Sequence, residues 1–153
     1  MPVYQDAKEP VFFVPEGDYI FCVLECTKGY SQGAKTAGAE QYEMKCEVEG
    51  RGSYYFETLT DHDKSRWRLE AFLRATGNVL LKGQAWSFSR REAEEHALTT
   101  YINPIGLRGH AHLIVDEYNQ QKKNKVGLYL AIDAKHPKLT PRVIETAEDD
   151  VPF

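Results

Sequence analysis

Gln41-Tyr42-Glu43-Met44-Lys45-Cys46-Glu47-Val48-Glu49 carries the cleanest two-residue alternation in the chain. Successive side chains of a strand point to opposite faces, so Tyr42, Met44, Cys46 and Val48 share a core face, and Gln41, Glu43, Lys45, Glu47 and Glu49 share a solvent face. Gly50-Arg51-Gly52 then turns the chain into a third strand over residues 53–60. Upstream, residues 19–27 form a first strand that is apolar on both faces, with Ile20, Cys22, Leu24 and Cys26 on one and Tyr19, Phe21 and Val23 on the other. Residues 30–38 are Gly-rich and polar, which predicts a mobile loop joining strands one and two. Three strands joined in this way are a meander.

The period changes after Thr60. Asp61-His62-Asp63 offers helix N-caps, and Leu69, Phe72, Leu73 and Thr76 recur at helical spacing until Gly77 ends the run. Ser89-Arg90-Arg91-Glu92 has capping-box spacing for a second helix, which must stop near Asn103 because Pro104 disfavours helical backbone before it. Alternation returns over residues 107–115 and again over 125–132, with the polar hairpin tip Asn119-Gln120-Gln121-Lys122-Lys123-Asn124 between them. Three strands, a helical insertion and two strands predict a mainly β chain: an OB-like five-stranded antiparallel barrel with the helical insertion between strands three and four. The length of the insertion leaves room for an extra short strand. Residues 1–133 read as one domain with an extended arm over 1–16. Residues 134–153 read as a flexible linker ending in a disordered acidic tail.

Composition narrows the function classes. The chain has 153 residues, 42% of them apolar, which suits one domain with a substantial core. No apolar run reaches the roughly 20 residues of a membrane span. The N-terminus has no signal-peptide character, and three cysteines fit a reducing compartment, so a cytoplasmic location is expected. Net charge is −4, yet four acids (Glu145, Glu148, Asp149, Asp150) lie beyond Arg142 with no Lys or Arg among them. Setting those aside brings the 23 acids level with the 19 Lys plus Arg, so the remaining body is neutral and can carry a local basic groove.

An OB barrel presents its ligand face across strands two and three, framed by the loops after strands one and four. Phosphates need cations along such a groove, and unpaired bases need flat aromatic faces. Tyr30 and Lys35 lie in the first loop; Tyr118, Lys122, Lys123 and Lys125 lie in or beside the second. Tyr54 and Tyr55 point to opposite faces, and pairing Phe56 with Tyr54 on the core side makes Tyr55 the expected stacking residue, flanked by Lys45 and Arg51. Trp67 is expected to pack the first helix on the barrel, and Trp86 to be exposed for DNA contact. Arg66, Arg68, Arg74, Arg90 and Arg91, interspersed with Glu70, Glu92, Glu94 and Glu95, read as a mixed-charge helix surface. Cys22, Cys26, Cys46, His110 and His112 match no zinc-knuckle or paired-histidine spacing, and no phosphate loop or nucleophile elbow is present, so neither a metal nor a catalytic site is predicted. Asp61-His62-Asp63 could serve a nuclease, but helix capping explains it more simply.

The segment Glu148-Asp149-Asp150-Val151-Pro152-Phe153 sets acids before an apolar tip, a pattern suited to a basic pocket with an apolar slot. It resembles the acidic tip of bacterial and phage single-stranded DNA-binding proteins. The body resembles a phage-encoded family of small domains associated with replication and recombination genes. The resemblance runs through Val14-Pro15-Glu16-Gly17-Asp18-Tyr19, Ser31-Gln32-Gly33-Ala34-Lys35-Thr36-Ala37-Gly38, the helix of residues 68–77, Asn103-Pro104-Ile105-Gly106-Leu107-Arg108-Gly109, and Lys123-Asn124-Lys125-Val126. These likenesses imply a non-enzymatic binder that coats single-stranded DNA with little sequence preference. Through its tip it would recruit replication, recombination or repair proteins. The body does not match the classical bacterial protein, so that protein's tetramer is not carried over. Two rival expectations are an OB-like adaptor that captures host replication proteins without binding DNA, and a metal-dependent nuclease.

Overall fold

The computed structural model describes residues 13–32 and 37–144, and of Tyr118 only the backbone. The elements are β1 (Gly17–Tyr30), β2 (Glu40–Val48), β3 (Ser53–Thr60), α1 (Arg66–Ala75), β4 (Trp86–Ser87), α2 (Arg90–Glu95), β5 (Thr100–Tyr101), β6 (Arg108–Tyr118) and β7 (Gln121–Tyr129). Five strands make one antiparallel sheet in the order β3-β2-β1-β6-β7, curled into a nearly closed barrel. The protein is therefore mainly β with an OB-like barrel, and its helical insertion is small. Within that insertion β4 and β5 pair in parallel, which accounts for the extra short strand. No helix among the described residues is long and apolar enough to cross a membrane.

The alternation in β2 holds throughout: Tyr42, Met44, Cys46 and Val48 are buried. In β1 the two-faced apolar pattern is resolved by a bulge at Leu24, where the pairing jumps from Val23↔Cys46 to Glu25↔Lys45. The extra residue reverses the facing of the strand beyond it, so Cys26 joins the core with Phe21 and Val23, while Cys22 faces outward opposite Glu47. The expectation that Cys22 and Cys26 share a face is thus corrected. Helix α1 buries Leu69, Phe72 and Leu73 against the barrel, and Phe21, Phe72 and Tyr129 pack ring to ring at 5.6–5.9 Å. Gly77, at φ 84°, ends the helix as expected.

Three boundaries move. The N-cap of α1 is Ser65, without a side-chain cap bond; Asp61 and Asp63 are instead held at 2.9 Å by Arg66. Ser89 does cap α2, accepting from the Glu92 amide at 3.2 Å, but that helix stops at Glu95, well short of Asn103. The β6–β7 turn is only Asn119-Gln120, both with positive φ, the tight hairpin geometry that follows the natural strand twist. Lys122 and Lys123 therefore lie on a strand rather than on a loop tip.

β3 and β7 face each other at the barrel seam without a hydrogen-bonded ladder. A buried carboxylate bridges them. Glu57 accepts from the Tyr129 hydroxyl at 2.6 Å and from Arg68 Nη2 at 2.9 Å, while the same nitrogen donates to the Val126 carbonyl at 3.0 Å. Arg68 is thus part of the closure rather than of a solvated charge surface. At the other end, Asn124 grips the backbone of Val14 from both sides, at 2.8 and 2.9 Å. Residues 1–12 of the expected arm lie outside the described residues.

The segment 133–144, of which 134–144 were expected as a flexible linker, is tied to the barrel. The His136 ring packs on His110 at 5.1 Å, Arg108 Nη1 donates to the Thr140 carbonyl at 3.2 Å, and the Arg142 amide donates to the Gly106 carbonyl at 2.9 Å. Gly106 has φ 89°, and a β-carbon there would lie 2.0 Å from the Arg142 carbonyl oxygen, so only glycine admits this strap. The acidic tail expected to be disordered, with its tip Glu148 to Phe153, lies outside the described residues.

Candidate nucleic-acid interface

β3 decides which aromatics meet solvent. Val48 faces the core and pairs with Ser53, so Ser53, Tyr55, Glu57 and Leu59 must also face inward. Tyr55 is 2% exposed, whereas Tyr54 and Phe56 are 49% and 73% exposed. The expected stacking residue is therefore a core residue, and the two rings assigned to the core are the ones outside. The signal was available: Tyr55 is in phase with Leu59, and the turn at Gly50-Arg51-Gly52 carries the inward parity of Val48 across. An inward Ser53 and Glu57 disguised it, since the seam network that satisfies Glu57 is not visible in one dimension.

Two cross-strand rows lie side by side on the outer surface. One runs Cys22–Glu47–Tyr54 and the next Glu25–Lys45–Phe56, across β1, β2 and β3. Lys45 Nζ sits 4.8 Å from the centre of the Tyr54 ring, a cation–π contact that orients the ring and keeps a positive charge beside it. Glu25, Glu43 and Glu47 share this surface, so it is rich in π-faces and poor in cations. At its rims Tyr30 is 58% exposed at the end of β1, and Arg51 lies 5.2 Å from the Tyr19 ring centre. The base of the β1–β2 loop is closed by Ser31–Ala39 and Gly38–Ser31 backbone bonds. Lys35 lies outside the described residues.

The hairpin cations are arranged differently from the expected loop cluster. Lys122 stands 6.0 Å from the Phe13 ring centre, Lys125 pairs with Asp116 at 3.5 Å, and Lys123 is exposed opposite Asp116 in the register. The Tyr118 backbone pairs with Gln121. The tryptophans exchange their expected roles. Trp86 packs edge-on against Phe88 at 4.9 Å and leans on the core, while Trp67 is 62% exposed.

The cysteines and the residues Asp18, His112, His62, Asp61 and Asp63 are engaged or buried. All three cysteines are free and buried, and burial pushes the Cys26 thiol up to about 12. Asp18 accepts from His112 Nδ1 at 2.7 Å; that bond lowers the carboxyl and raises the imidazole from their ordinary values. His62 Nδ1 accepts from the Lys64 amide at 3.2 Å, and its acidic neighbours Asp61 and Asp63 hold Arg66. No group of three or more His, Cys, Asp or Glu side chains among the described residues is arranged to hold a metal ion. No protein-family model matches this chain, and no curated protein sequence matches it.

Proposed function

We propose that this protein binds single-stranded nucleic acid, DNA in the first instance, across the outer face of β2 and β3. The observation that carries the reading is the adjacent, outward-facing pair Tyr54 and Phe56 beside Lys45 on an OB-like barrel. Two large exposed rings on one strand cost solvation in a free domain; unpaired bases stacked on them would remove that cost, at about 1–3 kcal/mol per base. Every base has a π-face, so such binding discriminates little between sequences. Duplex bases are already stacked and would not compete for the rings. No chemistry is performed on the strand. Residues 148–153 carry the second half of the proposal, recruitment of replication, recombination or repair proteins through acids and an apolar tip.

Titration of the intact protein with unlabelled oligonucleotides, followed by intrinsic tyrosine and tryptophan fluorescence, tests the reading. Single strands of mixed sequence should quench at low salt and the matching duplex should not. Equal binding to duplex, or none to either, ends the proposal. An RNA arm of the same length separates DNA from RNA preference.

A further inference from the structure

The strap of residues 133–144 ends its described course beside the proposed binding surface. Cys22 faces outward in the row Cys22–Glu47–Tyr54 and yet is 0% exposed. Arg142 is close enough for its charge to be felt by that thiol. Its Nη1 lies 3.1 Å from Glu47 Oε1 and 3.5 Å from Glu49 Oε1. Glu49 is already matched, since Arg108 holds both of its oxygens at 2.6 Å. Among the described residues the only cation paired with Glu47 is therefore Arg142. Glu47 in turn is the direct register partner of Tyr54, one strand spacing away at the backbone, roughly 4.8 Å.

Resting on the function proposed above, we infer that Arg142 is a further binding residue of the nucleic-acid surface, one that sets its affinity for the phosphate backbone and is supplied by the C-terminal strap rather than by the barrel. A phosphate backbone laid over Tyr54 and Phe56 meets Glu25, Glu43 and Glu47 with Lys45 as the only cation among the strand residues of the two rows. Arg142 cancels the acid nearest the ring. Among the described residues its Nε and Nη2 make no hydrogen bond, which leaves one edge of the guanidinium fork for a phosphate. The strap is then one wall of the site.

A double-mutant cycle in the full chain tests this, with affinity for a single-stranded oligonucleotide as the readout. Arg142→Ala should weaken binding about tenfold, the scale of one lost charge-assisted contact. Arg142→Lys should recover most of the loss, and Glu47→Gln placed in the Arg142→Ala background should recover a large part of it. Wild-type affinity in Arg142→Ala, or no recovery from Glu47→Gln, overturns the inference. Mass-spectrometric thiol labelling of Cys22 separates charge from detachment. If Arg142→Ala makes Cys22 react as fast as in unfolded protein, the strap has come away and the charge assignment fails. If the unaltered chain does not bind at all, the function proposal falls; if it binds and Arg142→Ala binds equally, only this inference falls.

Discussion

Tyr54, Tyr55 and Phe56 are three adjacent aromatics whose roles are set by parity alone. Tyr54→Ala and Phe56→Ala should each weaken single-strand binding by about 1–3 kcal/mol and leave the denaturation midpoint nearly unchanged, because both rings stand in solvent. Tyr55→Ala should do the reverse, costing about 3–5 kcal/mol of stability in urea titration through the cavity it opens. The Tyr55 hydroxyl is buried with only the weakly bonding Cys46 thiol beside it, so Tyr55→Phe should be neutral or stabilising by up to about 1 kcal/mol. A large loss of stability in Tyr54→Ala together with a mild one in Tyr55→Ala would reverse the assigned parity. Only Lys45 of the expected flanking cations touches one of these outer rings, and it does so through Tyr54 rather than Tyr55.

Among the elements, the seam and the strap make separate demands. At the seam, Glu57 is satisfied by Arg68 and Tyr129 together, so Arg68→Ala leaves a buried carboxylate short of its cation. A loss of about 3 kcal/mol is expected by chemical denaturation, with the double variant Arg68→Met, Glu57→Leu losing less than Arg68→Ala alone. The strap depends on Arg108, whose bidentate contact holds the Glu49 carboxyl below its ordinary value of 4.5. A depressed carboxyl contributes stability above that ordinary value and loses it as pH falls through the lower, folded-state value. Labelling of Cys22 with an acid-tolerant disulfide reagent should therefore accelerate as pH falls below about 4.5. Glu49→Gln should flatten that dependence. Labelling that is unchanged down to pH 3 in the native protein would separate the strap from this pair.

For the molecule as a whole, charge is divided between a neutral body and an acidic end. The proposed binding surface carries three outward acids, Glu25, Glu43 and Glu47, so stacking is expected to outweigh phosphate contacts. Log K should fall with log salt at a shallow slope of about −0.7 per phosphate contacted, with few phosphates engaged. On the proposed function, the acids beyond Arg142 would compete with phosphates for the same cations. Removal of residues 145–153 should tighten single-strand binding at low salt while abolishing partner recruitment, whereas replacing Phe153 alone should cost recruitment only. A cut after Ile144 leaves the described strap whole, including Arg142, which is tied to Gly106 and Glu47. Weaker binding after that truncation would exclude competition by the tail.

Much of this molecule is written in local periodicity. The β2 alternation, the meander, the α1 stripe ending at Gly77 and the return of two strands all arise from spacing, because burial on one side of a strand or helix imposes a period on the chain itself. The order of those elements is enough for an OB-like barrel. The proposed site was legible only in part: its expected location on β2 and β3 comes from the fold, but its rings do not. Which of three adjacent aromatics faces out depends on cross-strand register, and register is a relation between residues that are distant in sequence. The bulge at Leu24, the seam carboxylate and the strap at Gly106 are of the same kind. Each joins groups that are far apart along the chain, so tertiary packing alone decides that Tyr54 and Phe56 meet solvent, that Glu57 is tolerated inside, and that Arg142 comes to rest beside Glu47.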